Sequence, residues 1–310
     1  YPKAWIVPVA KWISQFTKWL VNDANFGLFT FADVMRFISS LIEVPYTVVL
    51  SLLSTGLMSG PGSSATQLIP PLSWIAVITI VTLLGLYAGG RRLAAIVAVC
   101  FLFVAVFGQW TSSMVTLASI LVAAPIGVFG GLLIGIAGYR WPWLERALVP
   151  VLDLMQTIPV FAYLVPILIL FGFGPTAAIV ATLIYAMPPM TRVTMLALKT
   201  VPSETQDLGR MIGCSPRQMM WRVMVPSAKD GLLVGMNQVI MLSLNMVIIA
   251  SMIGAGGLGF DVLAALRRLD FGAGLEAGFA IVALAIALDR LSQAFAERAA
   301  GTAATARSGN

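Results

Sequence analysis

"SETQDLGRMIGCSPRQMMWRVMVPSA", Ser203 to Ala228, is the longest polar stretch in a chain that is otherwise 59% hydrophobic and only 10% charged. Apolar segments of membrane-crossing length flank it on both sides. A soluble domain would carry roughly a quarter charged residues, whereas this chain has a mean hydropathy of +0.94. Several windows approach about 20 nearly uncharged residues, the length a helix needs to cross about 30 Å of hydrocarbon. These features imply an all-α polytopic membrane protein. A transmembrane barrel is disfavoured, because its strands alternate apolar and polar residues over about ten positions.

The polar stretch carries its own folding instructions. Ser203 and Gln206 have capping-box spacing, with the Ser oxygen taking an amide and Gln206 reaching back. Gly213 suits a left-handed cap that stops the first helix. Ser215-Pro216-Arg217-Gln218 is a second capping box with proline at the first helical position, where its missing N–H costs nothing. The second helix is expected to end near Val225, because Pro226 disfavours helical backbone before it. It should present Arg217 and Arg222 beside Met219, Met220 and Met224, adaptable contacts for a groove that changes shape. A plain connector between two spans would need less, so a docking element for a partner is the expectation.

Working outward, Val9, Trp12, Ile13, Phe16, Trp19 and Leu20 share a helical face, with Lys11, Gln15 and Lys18 off it. That pattern suits a helix lying in the membrane interface. Ile38–Met58 is nearly long enough to cross, but Glu43 and Pro45 suggest a half-buried or interfacial segment, followed by a flexible linker at Ser59–Gln67. Spans are expected at about Pro71–Ala88, then to Gly108, Ser113–Gly138, Val151–Phe171, on to Thr191, Gly231–Ile253 and Gly278–Leu291. Gly127, Gly131 and Gly135 recur every four residues, a spacing that lets helix backbones approach closely within the subunit or between two copies. Pro125, Pro159, Pro166 and Pro188–Pro189 are expected to kink spans.

Seven spans with the N-terminal region outside place Arg91, Arg92, Arg140, Arg146, the polar hairpin and the C-terminus on the cytoplasmic side, as the positive-inside rule requires. The outer loop with Arg267 and Arg268 is the exception, offset by Asp261, Asp270 and Glu276. The net charge of +6 is accounted for by these loops rather than by a nucleic-acid partner. Histidine is absent, which excludes imidazole metal sites, proton relays and triads. The two cysteines, Cys100 and Cys214, have no metal spacing and are not expected to pair. No cleavable signal peptide is expected after Tyr1.

The hairpin resembles the cytoplasmic loop of bacterial ABC importer permeases, whose signature is E-A-A, three residues, G, nine residues, a branched apolar residue and a nearby P. Asp207-Leu208-Gly209 stands where E-A-A would be, and Gly213, Val223 and Pro226 hold the matching spacings. Asp replaces Glu and Leu-Gly replaces Ala-Ala, keeping an acidic first residue and a small third one. Leu152–Gly174, Tyr185–Thr194 and Asn245–Gly259 resemble glycine betaine/proline-type osmoprotectant permeases, and the likeness covers about residues 70–296.

The resemblance implies a type I ABC importer transmembrane domain over residues 111–296, with a coupling loop at about 199–229. Residues 1–69 would form an interfacial scaffold and linker, 70–110 two additional transmembrane helices, and 297–310 a cytoplasmic tail. It implies a homodimer of permeases in the bacterial inner membrane, two cytoplasmic ATPases docked through Asp207, Gly209, Gly213, Ser215, Pro216, Arg217, Met220, Arg222 and Pro226, and a periplasmic or lipid-anchored substrate-binding protein. The chain has no G-x-x-x-x-G-K-[ST] phosphate loop. ATP and magnesium would bind the partner, and this chain would hold no cofactor and catalyse nothing.

An ion-coupled carrier is the rival reading, and it would need an ionisable residue deep in a span. Asp153, Asp230, Asp261, Asp270, Glu276 and Asp289 all fall near expected boundaries, which suits gating of a neutral or zwitterionic solute. A channel or a structural scaffold fits the capped hairpin and polar-dotted spans less well. Candidate pathway groups are Gln156, Thr157, Asn237 and Asn245, with Gln238 and Ser243 beside them. Mid-span amides can equally bind helices to one another. Phe161, Tyr163 and Tyr185 could offer ring faces to a quaternary ammonium. The Gly-rich run Ser251–Leu266 follows no strand, so it is expected to shape an outward turn near the gate and not a nucleotide site.

Overall fold

The computed structural model describes Lys11, Trp12, Gln15, Trp19 and residues 30–59 and 66–308. Lys11, Trp12, Gln15 and Trp19 are helical. The other positions of the expected interfacial face, Val9, Ile13, Phe16 and Leu20, lie outside the described residues, as does Lys18 off that face. The rest is a bundle of apolar helices; among the described residues six helical stretches are long and apolar enough to cross a membrane, one of them the interrupted Trp74–Val106, and a bent pair makes a seventh candidate.

Helix α1 (Phe31–Leu50) continues through a π-turn, Ser51–Thr55. Its start is a complete capping box in which the Thr30 hydroxyl accepts from the Asp33 amide at 3.2 Å and the Asp33 carboxylate accepts from the Thr30 amide at 2.9 Å. That cap begins the helix ahead of Ile38, so Phe31–Thr55 reaches 25 residues and spanning length. Ile42 and Tyr46 are buried among residues of the main bundle, including Ala118 and Val122. The helix is longer than the expected half-buried or interfacial segment; one side of it packs on the core, and Pro45 sits inside it without ending it. At the ends of the expected linker, β1 (Leu57–Ser59) pairs antiparallel with β2 (Thr66–Ile69), and residues 60–65 lie outside the described residues.

The helical stretch α2 (Trp74–Val106) is interrupted at Gly89 and Gly90, which leave helical backbone, Gly90 with φ +74°. A Cβ on Gly85 would lie 3.1 Å from the Ala94 Cα, whereas nine residues of straight helix would separate them by about 13 Å. The chain thus reverses at the two glycines into a helical hairpin. Val77, Leu93, Val97, Phe101 and Val104 then pack on the last helix, α11 (Phe271–Ser308).

Helix α3 (Trp110–Arg140) and helix α6 (Pro175–Lys199) form the most extensive helix pair, with α9 (Lys229–Ala250) on α6 as well. The glycine row makes this approach possible. A Cβ on Gly131 would stand 2.6 Å from the Met190 Cβ, and one on Gly135 2.8 Å from the Thr191 carbonyl oxygen. The row therefore serves packing within the chain. Helices run on through Pro125 and through Pro188–Pro189. The expected fifth span does not stop at Thr191 but continues to Lys199.

The expected span Val151–Phe171 is broken at Pro159, where a kink is expected, more sharply than a kink alone implies. It divides into α4 (Pro142–Thr157) and α5 (Val160–Phe171), bent by 103° at Ile158–Pro159. Ile158 takes extended backbone before the proline (φ -68°, ψ 131°), as the steric clash with the proline ring demands. Helix α9 ends in a π-turn, Ser251–Ala255, and α10 (Leu258–Arg268) leads into α11. Gly254, Gly256 and Gly257 all have positive φ there. The last helix far exceeds the expected Gly278–Leu291 and includes Arg298.

Candidate functional site

The hairpin joins α6 to α9. Its first helix, α7 (Ser203–Met211), has Pro202 and not Ser203 as its N-cap, and no side chain caps it. Pro202 holds the extended conformation (φ -55°, ψ 141°) that the cap needs, which moves Ser203 into the first helical position. Gln206 donates instead to the Val201 carbonyl at 3.1 Å. The C-terminal signal behaves as expected. Gly213 has φ +74°, its amide donates to the Arg210 carbonyl at 3.0 Å and the Cys214 amide to the Gly209 carbonyl at 3.1 Å. This is a complete Schellman closure.

The second capping box is present in both directions. The Ser215 amide donates to Gln218 Oε1 at 2.9 Å and the Gln218 amide to Ser215 Oγ at 3.3 Å, with Pro216 first in the helix. Removing the hydroxyl in Ser215→Ala is expected to cost about 1 kcal/mol locally. Hydrogen exchange should read this as roughly fivefold faster exchange of the hairpin amides with α3 unchanged. Equal rates in both proteins would dismiss the cap.

The second helix, α8, ends at Ser227, two residues past the expected Val225, and Val225 keeps helical backbone before Pro226. It comprises Pro216–Gln218, a π-turn at Met219–Met224, and Val225–Ser227. The Val225 amide reaches back to the Met220 carbonyl. This wider turn displaces the carbonyl that the Pro226 ring would strike, so the chain stays helical through the proline. The methionines also differ from expectation. Met224 is buried with Leu198 and Val201, and Met219 is half-buried, packed on Gly209. A Cβ on Gly209 would stand 2.6 Å from Met219 Sδ, so the small third residue is what lets α7 and α8 touch.

The exposed apolar residues are instead at the tip: Leu208 is 63% exposed, Met211 83% and Ile212 77%. Arg217 and Arg222 are exposed as expected, and Asp207 pairs with Arg210 at 3.1 Å. Leu208, Met211 and Ile212, with Arg210 among them in the chain, make an apolar knob that can enter an apolar groove on a partner. Beneath it, a groove of about 360 Å3 is lined by Tyr139, Arg140, Gln206, Arg210, Cys214 and Met220. Two ion pairs tie α4 to the helix that feeds the hairpin: Asp153 with Arg192, and Glu145 with Lys199. Sequence reasoning missed both pairs, although Glu145/Asp153 and Arg192/Lys199 each have same-face helical spacing. It also missed the Leu208–Met211–Ile212 knob, whose signal was three apolar residues beside a helix-stopping glycine.

The pathway candidates fall into two groups that hydrogen bonding does not join. Gln156 and Thr157 are exposed at the α4–α5 break, where Thr157 Oγ1 donates to the Leu154 carbonyl at 3.0 Å. Phe161 is exposed just beyond it. The Tyr163 hydroxyl donates across the break to the Met155 carbonyl, so it braces the bend. Asn237 Oδ1 accepts from Ser292 Oγ at 2.8 Å, which makes it a tie between α9 and α11. Gln238 and Asn245 are exposed with Met241 on one face of α9. Ser243 is buried.

Apolar helices of crossing length around a central pair, with a capped polar hairpin at one end, define a multi-pass membrane permease. The model of the family described as "Binding-protein-dependent transport system inner membrane component" matches residues 127–301. The chain belongs to this family. It is 36% identical to the glycine betaine/proline betaine transport system permease protein ProW of Escherichia coli, covering 93% of this chain and 75% of that one. It is 35% identical to the glycine betaine transport system permease protein OpuAB of Bacillus subtilis, covering 93% and 94%. The trimethylamine N-oxide transport system permease protein TmoV of Pelagibacter ubique is 43% identical over 74% of this chain, which spans only 32% of that relative's length. Among solved structures, an inward-facing form of the MetNI methionine ABC transporter shares the fold, with TM-score 0.53, 24% identity, and 60% and 92% of the two chains covered.

Proposed function

We propose that the chain is the permease subunit of an ATP-driven ABC importer for a small zwitterionic or quaternary-ammonium solute, such as glycine betaine, trimethylamine N-oxide, choline or proline. The exposed, doubly capped hairpin carries this reading. A rigid lever with an apolar knob of Leu208, Met211 and Ile212 is suited to receive force from another subunit. The names of the relatives support the solute class. Two permease copies, two cytoplasmic ATPases and a binding protein would complete the machine, with ATP and magnesium held by the ATPases.

The positive-inside rule puts the hairpin end in the cytoplasm. The structure supports a common end: Arg298 hydrogen-bonds the Tyr87 carbonyl next to Gly89, and Lys199 at the foot of the hairpin pairs with Glu145. The exposed Gln238, Met241 and Asn245 face of α9 would line the path between two copies, where an uncharged amide suits a solute with no net charge.

Reconstituted vesicles holding the permease with its ATPase and binding protein should accumulate labelled solute only with ATP, and the permease alone should hydrolyse none. Uptake driven by a proton or sodium gradient without ATP would replace this reading with an ion-coupled carrier.

A further inference from the structure

A groove of about 560 Å3 lies between the helix that follows the Gly89–Gly90 reversal and α11. Its walls are Leu93, Ile96, Ile286 and Ala294, and its polar groups include Arg92, Arg290 and Glu297. Both arginines are exposed. Among the described residues neither makes a hydrogen bond or ion pair. The nearby carboxylates do not neutralise them. Asp289 Oδ1 accepts from Gln293 Nε2 at 2.6 Å, and Glu297 pairs with neither guanidinium. Arg298 is engaged elsewhere, 3.8 Å over the Tyr87 ring.

Arg290 stands at the hairpin-side edge of the apolar stretch of α11, within the segment Phe271–Arg298 whose length and composition suit a crossing helix. A guanidinium that close to hydrocarbon calls for an anionic partner or a snorkelling side chain. Here two such groups converge on a groove whose other walls are aliphatic. Asp230 and Asn237 share a neighbouring pocket with Gln293 and Glu297, which puts this groove at the hairpin end of the bundle.

We propose that this groove binds one anionic phospholipid, its phosphodiester held by Arg92 and Arg290 and an acyl chain lying along Leu93, Ile96 and Ile286. Guanidinium forks match phosphate oxygens bidentately, and basic pockets between membrane helices are suited to acidic headgroups. Glu297 at the rim selects among anions. It repels a free phosphate dianion more strongly than a singly charged phosphodiester, and the aliphatic walls reward only a ligand with a hydrocarbon tail. The site is independent of the transport reading, since it concerns the side of the chain away from α6.

The test uses the full chain in phosphatidylcholine nanodiscs containing spin-labelled phosphatidylglycerol or spin-labelled phosphatidylcholine. The motionally restricted fraction should favour phosphatidylglycerol, and each guanidinium removed in Arg92→Gln and Arg290→Gln should reduce that preference about fivefold. Arg267→Gln/Arg268→Gln, at the opposite end, should keep it. Added inorganic phosphate should not displace the label. Equal restriction of the two lipids in the native protein would overturn the proposal. Unchanged preference in both single variants, or displacement of the label by phosphate, would overturn it too. The single variants change exposed side chains, so they keep the fold comparable.

Discussion

Gly259→Ala is expected to destabilise the protein by about 3 kcal/mol, lowering its thermal midpoint in detergent by roughly 10 °C. Gly259 is the second residue of α10, which folds back onto the π-turn that ends α9. An alanine Cβ there would stand 2.1 Å from both the Ile248 carbonyl oxygen and Ser251 Oγ. Neither can swing away, because Ser251 Oγ donates to that same carbonyl at 2.7 Å. The far side is held as well: Leu258 is fully buried and its amide donates to Thr116 Oγ1 at 3.0 Å. Gly278 supplies the control, because a Cβ there meets nothing within 4 Å. Gly278→Ala in mid-helix should be neutral or stabilising by up to about 1 kcal/mol. A Gly259→Ala protein that melts with the native one would refute the close approach of α10 to α9.

Ile212→Asp is expected to abolish ATP-driven uptake, by at least about a hundredfold, while the protein inserts and melts normally. Ile212 is 77% exposed at the hairpin tip, where substitutions change stability by less than about 0.5 kcal/mol. A carboxylate in an apolar docking groove, by contrast, is an unpaired buried charge, costing several kcal/mol of association. Co-purification with the ATPase partner should fall in parallel with uptake. Normal uptake by this variant would remove the knob from the coupling mechanism and leave the hairpin a connector.

What could be read before folding was whatever depends on near neighbours. The Ser215–Gln218 box and the left-handed Gly213 are contacts across three to five residues, and both stand as expected. Ser203 shows the limit of the same reasoning. Its spacing to Gln206 is right, yet Pro202 takes the cap because its own extended backbone already satisfies that role. Pro159 marked a kink, but the 103° size of the bend at Ile158–Pro159 was not readable, because hydropathy averages over a window and carries no direction. Pro226 misled in the opposite sense, since a π-turn offers a helical route past a proline that a strict α-helix lacks.

The candidate site was legible as a hairpin but not as a surface. Met219 and Met224 are chemically suited to docking and turn inward only because Gly209, Leu198 and Val201 leave them a cavity to fill. Asn237 and Asn245 are the same residue type on one helix. Ser292, on a helix far along the chain, engages the first and leaves the second open.

From its amino-acid order alone, this protein is a set of apolar helices with a capped polar hairpin between two of them, because hydrocarbon length and end-capping are short-range demands. Only the assembled bundle decided which faces are covered, which amides tie helices together and where Arg92 and Arg290 meet. Those outcomes depend on partners dozens of residues away, brought within a few ångströms by helix packing.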